Sequence, residues 1–236
     1  MTPSFLRRGL LAVGGAFAVS SMSRAQGGGT MTQIDFESAT VGALPPGITG
    51  ALTGSGAAAA WIVLEDATAP AGPKVLAQTS TDKTDYRFPL AIFDAPVAAD
   101  VDVGVRFRPV GGEVDRAAGI AIRLKDRNNY YVVRANALED NIRLYRMVGG
   151  QRTQFAGTSA KVPSDKWQEL RLTARGSRFE VFLEGKSLFS ATDTAFTSAG
   201  RVALWTKADS VTYFDDLRIQ TLQRFIESPT QPRRYP

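Results

Sequence analysis

The 236-residue chain contains no cysteine and no histidine. Without cysteine there is no disulfide, no thiolate nucleophile and no cysteine-held zinc. Without histidine there is no Ser-His-Asp triad, no imidazole base and none of the commonest zinc and copper ligands. No apolar run reaches the ~20 residues of a membrane-spanning helix. No sustained helical period follows the first 25 residues. A G-x-G-x-x-G after a strand, a Walker A loop and an EF-hand loop are all missing, so Gly27-Gly28-Gly29 and Gly54-Ser55-Gly56 read as linkers rather than phosphate cradles. Chemistry on this chain is left to carboxylates, lysine, arginine, tyrosine, hydroxyls or a hard metal ion.

What is present is an ordinary globular composition, 44% hydrophobic and 22% charged. The N-terminus carries an address. Arg7 and Arg8 precede a glycine-diluted apolar stretch over 9–19, and Ser23-Arg24-Ala25 places small residues before Gln26. A charged start, an apolar core and a small-x-small end make an export signal over 1–25, twin-arginine-like or of the general secretory type, which predicts a periplasmic or secreted protein. That segment holds three arginines and no acid, so its removal lowers the formal net charge from +5 to +2. The remaining basic residues are interleaved with acids, which argues against a nucleic-acid partner.

The rest of the chain reads as strands. Residues 26–32 form a glycine-rich leader, 33–222 one folded domain, and 223–236 a disordered tail. Alternating or apolar runs predict strands over 34–37, 61–64, 74–78, 87–93, 101–107, 117–125, 130–136, 141–148 and 151–155, and five more between 167 and 222. Residues 44–47 read as a turn and 48–60 as a glycine- and alanine-rich loop. About a dozen short strands with turn signals every 8–12 residues predict an all-β fold. The architecture expected is a two-sheet antiparallel β-sandwich of jelly-roll type, in which the bend of a large sheet leaves one concave face.

Several stretches resemble a known family. They are Asp126-Arg127-Asn128-Asn129-Tyr130-Tyr131, Lys166-Trp167-Gln168-Glu169-Leu170-Arg171, Arg178-Phe179-Glu180-Val181-Phe182, the run 200–210, and Tyr213-Phe214-Asp215-Asp216-Leu217. Together they are similar to the concanavalin A-like lectin/glucanase superfamily, and most of all to its LamG-like and 3-keto-disaccharide-hydrolase-like exported members. The resemblance runs over 34–220. It implies a carbohydrate-recognition domain with a carbohydrate or glycoside ligand. A hydrolase or lyase acting on 3-keto-glycosides is a second implication, and a LamG-type domain with a protein partner a third. Glucanases of the superfamily set their carboxylates on one strand as E-x-D-x-x-E. The nearest match, Glu113-Val114-Asp115-Arg116-Ala117-Ala118-Gly119, lacks the last carboxylate and follows Gly111-Gly112, so a glucanase mechanism is not expected.

Two residue sets remain as site candidates. Strand parity sets Arg123 opposite Ile120, Ile122 and Leu124; Arg134 and Asn136 opposite Val133 and Ala135; Arg143 and Tyr145 opposite Ile142 and Leu144; and Trp205 and Lys207 opposite Val202 and Leu204. If these strands are neighbours, Arg123, Arg134, Asn136, Tyr145 and Trp205 line one polar and aromatic surface suited to sugar. The alternative is that the arginines are solvated and the rings are packing residues. Asp35 and Glu37 near the start and Asp215 and Asp216 near the end are the second set. Were the first and last strands adjacent, these oxygens could hold a structural Ca²⁺; otherwise Asp215 and Asp216 accept backbone amides at a strand edge.

Overall fold

The computed structural model describes residues 29–223. The export signal over 1–25, the first three residues of the leader (26–28) and the tail from 224 lie outside the described residues. The described residues contain no helix. They form fifteen strands in two antiparallel sheets, and the prediction of a sandwich is met.

One sheet contains β1 (Met31–Ile34), β3 (Trp61–Glu65), β4 (Lys74–Gln78), β6 (Val101–Gly111), β11 (Gln168–Arg175), β12 (Arg178–Leu183), β13 (Lys186–Thr192) and β15 (Val211–Thr221). Its order is β13-β12-β11-β6-β15-β4-β3, with β1 pairing the far half of β15. The other has seven strands: β2 (Ile48–Gly54), β5 (Arg87–Phe93), β7 (Ala117–Asp126), β8 (Asn129–Asn136), β9 (Asn141–Val148), β10 (Gln151–Ser159) and β14 (Arg201–Trp205), in the order β10-β9-β8-β7-β14-β5-β2.

Period-two burial builds the core. In β6, Val101, Val103, Val105 and Phe107 are buried while Asp102, Gly104, Arg106 and Arg108 are partly exposed. These inward residues meet Ile120, Ile122, Val133, Leu144 and Leu204 of the seven-stranded sheet in one cluster between the sheets. Two segments depart from the sequence expectation. Residues 48–54 form β2 rather than a loop, because their main chain pairs with β5 from Ile48↔Phe93 to Gly54↔Arg87 and needs few apolar side chains to do so. The first strand starts within the expected leader, Met31 and Thr32 pairing with Gln220 and Ile219.

The central strands of the seven-stranded sheet are buried on both faces. Its outer face carries a second cluster, including Phe88, Leu90, Tyr130, Val132, Tyr145 and Trp205, drawn from this sheet alone. Side chains from distant strands meet there. Arg152 of β10 lies 4.8 Å over the ring of Phe88 in β5, five strand positions away. Thr53 of β2 bonds Tyr130 Oη of β8 at 3.0 Å, and the Tyr86 hydroxyl donates to the Gly150 carbonyl at 2.8 Å. Across a flat sheet five steps would be about 24 Å, beyond the joint reach of an arginine and a phenylalanine. The sheet therefore curls around its outer face, which is concave.

Arg123 corrects the parity reading. It sits in a β-bulge with φ of 50°, and the β7–β8 register breaks after Ile122. One residue out of step exchanges the faces: Ile122 belongs to the core between the sheets and Leu124 to the outer cluster. Arg123 is fully buried and turns away from the concave face. Its guanidinium donates to the carbonyls of Ala99, Phe196 and Gly176 at 2.6–2.8 Å, pairs with Asp100 at 3.3 Å and covers the ring of Phe179. Gly200 makes room for the bulge, since a Cβ there would lie 2.3 Å from the Arg123 carbonyl carbon. Arg123→Met would leave a buried carboxylate and three carbonyls without these donors. The expected loss is about 3–5 kcal/mol, read as a fall in Tm of at least about 6 °C. A Tm within about 2 °C of the parent would show that Arg123 does not brace this end of the sandwich.

Candidate functional site

Four of the five predicted residues share the concave face. Arg134 and Asn136 come from β8, Tyr145 from β9 and Trp205 from β14, and their neighbours Val133, Ala135, Leu144 and Leu204 all point into the core. The two aromatic residues do not present a ring to solvent. Trp205 is fully buried, stacked on Phe88 at 5.4 Å and bonded through Nε1 to Tyr130 Oη at 3.3 Å. Tyr145 is 7% exposed, with the guanidiniums of Arg134 and Arg152 over its ring at 5.7 and 4.6 Å. Their role in the structure is to fill the curled face.

Polar groups gather beside them around Asp115. This residue lies in the short loop between β6 and β7, and only 1% of it is exposed. The loop is shaped by the Asp209 carboxylate, which accepts the amides of Glu113, Val114 and Asp115 at 2.7–3.2 Å. Gly112, at φ 130°, allows the loop to close, since a Cβ there would lie 1.8 Å from the Asp115 carbonyl oxygen. Asp115 Oδ1 accepts a hydrogen bond from Asn136 Nδ2 at 2.9 Å. Its Oδ2 is ion-paired with Lys207 Nζ at 3.0 Å and lies 3.8 Å from Arg134. Arg134 Nη2 donates to Glu139 Oε2 and Asn141 Oδ1 at 2.7 and 2.8 Å, and Asn141 Nδ2 donates to the same Glu139 oxygen. Lys207 also bonds Asp85. Asp115, Arg134 and Lys207 thus form a buried floor, and the more exposed Glu139 and Asp85 form the rim.

Burial pushes the Asp115 carboxyl above the usual carboxylate range, against the pull of Lys207 and Arg134. Burial also works against the Lys207 ammonium, yet the bonds to Asp85 and Asp115 carry it above the ordinary lysine value. Glu139 would be raised by burial, but Asn141 and Arg134 hold it low. The network is therefore a fixed set of donors and acceptors in a concavity, the arrangement that recognises hydroxyl groups of defined geometry. Sequence spacing presents Asp115 as part of a broken carboxylate motif. In the structure it parts from Glu113, whose exposed side chain pairs with Lys83 at 2.6 Å.

The proposed calcium residues do not fit a cation. The first and last strands do pair, Ile34 opposite Leu217, but each carboxylate has protein donors of its own. Asp35 accepts the amide of Glu37, Glu37 that of Lys74, and Asp215 those of Ala71 and Asp216. Asp216 is held by Gln33 at 2.7 Å and by Arg218. Among the described residues no group of three or more acidic side chains could hold a metal ion. The edge-amide alternative describes Asp215. An apolar cleft of about 420 Å³ near Phe36, Pro45, Ile48 and Phe93 lies elsewhere, at the edge of the sandwich.

With the geometry in view, comparison with known proteins identifies the fold's relatives. The family model of the galactocerebrosidase C-terminal lectin domain matches residues 91–222. The chain belongs to this family. The matched stretch carries Asp115, Arg134, Asn136, Glu139, Asn141 and Lys207, the whole network except Asp85. No curated protein matches the chain. Among solved structures it is similar to the carbohydrate binding module CBM66 from Bacillus subtilis (19% identity, 73% of this chain and 94% of that one, TM-score 0.56). It is also similar to domain 4 of AbnA, an extracellular arabinanase from Geobacillus stearothermophilus solved with arabinotriose (16% identity, 80% and 90%, TM-score 0.50). A galectin-like protein of unknown function from Bacillus subtilis aligns at 9% identity over 74% and 90% of the chains, with a TM-score of 0.52. At these identities the likeness is one of fold.

Asp215 supplies a pH test within this family's fold. Burial, first, and its neighbours Asp216 and Glu37 raise its carboxyl to about 6, despite amide bonds that lower it. A carboxyl raised on folding favours the folded state when protonated, so its burden on stability appears as pH rises from about 4 through 6. Asp215→Asn removes that burden. The Tm of the variant minus that of the parent should be more favourable at about pH 7.5 than at about pH 5. An identical difference at both pH values would contradict the raised carboxyl.

Proposed function

We propose that the chain is an exported carbohydrate-recognition domain that binds its glycan on the concave face of the seven-stranded sheet. The observation that carries this reading is the buried Asp115–Arg134–Lys207 floor with Asn136, Asn141 and Glu139 around it. Membership of a lectin-domain family gives it support, as does the arabinotriose held by the AbnA domain of similar fold. The twin arginines and the small-x-small site before Gln26 support export.

Recognition here is polar. Carboxylate, amide, ammonium and guanidinium groups each bond sugar hydroxyls, and their mutual bonds fix them before ligand arrives. The aromatic residues shape the cavity by packing rather than by stacking on a sugar. Asp115 accepts a hydrogen bond from Asn136 through Oδ1 and ion-pairs with Lys207 and Arg134 through Oδ2, so its place in the network is that of an anchor for the two cations.

Glu139→Gln tests the site with little risk to the fold, because that side chain is about half exposed. A glycan array followed by calorimetry on the processed protein should find a ligand, and the variant should bind it at least tenfold more weakly, about 1.4 kcal/mol. Retention of no glycan, or unchanged affinity in the variant, would remove the concave face as a sugar site.

A further inference from the structure

Beside the Asp115 network, the concave face holds two guanidiniums with no carboxylate within 4.0 Å among the described residues. Arg143 of β9 is the direct cross-strand partner of Arg134 in β8. Both leave the sheet on the concave side, since Ile142, Leu144, Val133 and Ala135 belong to the core between the sheets. Like charges directly opposed on neighbouring antiparallel strands cost stability. Arg134 is compensated by Asp115 and Glu139. Arg143 has no carboxylate within 4.0 Å among the described residues and no hydrogen bond from its guanidinium. Its stem lies against Gly157 of β10, where a Cβ would come within 2.5 Å of Arg143 Cδ. Glycine at that position keeps the space through which Arg143 extends.

Arg152 of β10 is the second. Its guanidinium lies 4.6 Å from the ring of Tyr145 and 4.8 Å from that of Phe88. Its main-chain amide donates to the Tyr86 hydroxyl at 2.9 Å. These contacts fix the side chain in place. Yet the guanidinium makes no hydrogen bond within the described protein, and its Nη1 is already withdrawn from water. Such a group carries the cost of desolvation without a compensating acceptor. Arg152 reaches over Tyr145, which lies two residues along β9 from Arg143, so about 7 Å of strand separates the two levels. Around Tyr145 and the Asp115 floor, four cations (Arg134, Arg143, Arg152 and Lys207) face three carboxylates (Asp85, Asp115 and Glu139).

We infer that the ligand of this face is an acidic glycan, one whose sugar carries a carboxylate as a uronic-acid residue does. Arg143 and Arg152 take the carboxylate, and the Asp115 network takes the ring hydroxyls. The inference rests on the carbohydrate-recognition reading above and adds the charge of the ligand. Guanidinium matches a planar carboxylate through paired N–H donors, which an ammonium does not. A neutral sugar would leave the Arg134–Arg143 repulsion and the Arg152 donors as they stand in the free protein.

The probes are trigalacturonate, trimannuronate and the same trisaccharides with their carboxyls reduced to alcohols, titrated calorimetrically into the processed protein. A uronate should bind at least tenfold more tightly than its reduced form, and its affinity should fall as sodium chloride is raised. Arg143→Gln and Arg152→Gln should each weaken uronate binding at least tenfold, and Arg152→Lys, which keeps charge but loses the fork, should weaken it as well. Arg143→Gln decides the matter if Arg152→Gln loosens the aromatic packing, because the Arg143 guanidinium makes no hydrogen bond among the described residues. Equal or tighter binding of the reduced sugars, or full uronate binding by Arg143→Gln, would overturn the acidic-ligand inference and leave sugar recognition standing. Failure of acidic and neutral sugars alike, here and across the glycan array, would overturn both.

Discussion

The curl of the seven-stranded sheet is the constraint on which the rest depends. A sandwich ordinarily needs to bury only the faces between its two sheets. Here the central strands are buried on both sides. The second face is dry because its two edges approach each other: Thr53 reaches Tyr130, Tyr86 reaches Gly150, and Arg152 lies over Phe88. Once the sheet is curled, charged groups on that face are withdrawn from water and must answer one another. The ion pairs among Asp115, Lys207 and Arg134, and the Asp209 cradle that holds Asp115 in place, follow from that enclosure.

The same enclosure connects packing to function. A buried network held by ion pairs and hydrogen bonds among its own members has few alternative arrangements, so it meets a ligand with its donors and acceptors already placed. Arg123 does comparable work at the other side of the sheet. It ties the β7 bulge to three loop carbonyls and closes an end of the sandwich, rather than contributing to the concave face. Two buried arginines in the same sheet thus have opposite relations to the site, and the direction of each is decided by local backbone geometry.

Much of the fold is legible in the sequence because burial alternates along it. Val101 to Phe107 and Leu170 to Ala174 announce their inward faces residue by residue. Strand β2 is not legible, since its pairing is carried by main chain and its side chains are mostly small. The bulge at Arg123 has no sequence mark either, and a shift of one residue reverses every assignment beyond it. For Arg134, Asn136, Tyr145 and Trp205 parity gives the correct face, but not that two of them would be covered. Asp115 and its cradle could not be read from spacing, because their meeting depends on one loop closing against another 94 residues away.

Site mapping in solution tests the account most directly. Amide chemical shifts of the isotope-labelled, processed protein, followed during titration with the tightest sugar from the array, report which surface is occupied. The account predicts shifts concentrated at Asp115, Arg134, Asn136, Glu139, Asn141 and Lys207. Shifts confined to the outer face of the eight-stranded sheet around Asp102 and Arg171, or to the cleft beside Pro45 and Ile48, would contradict it.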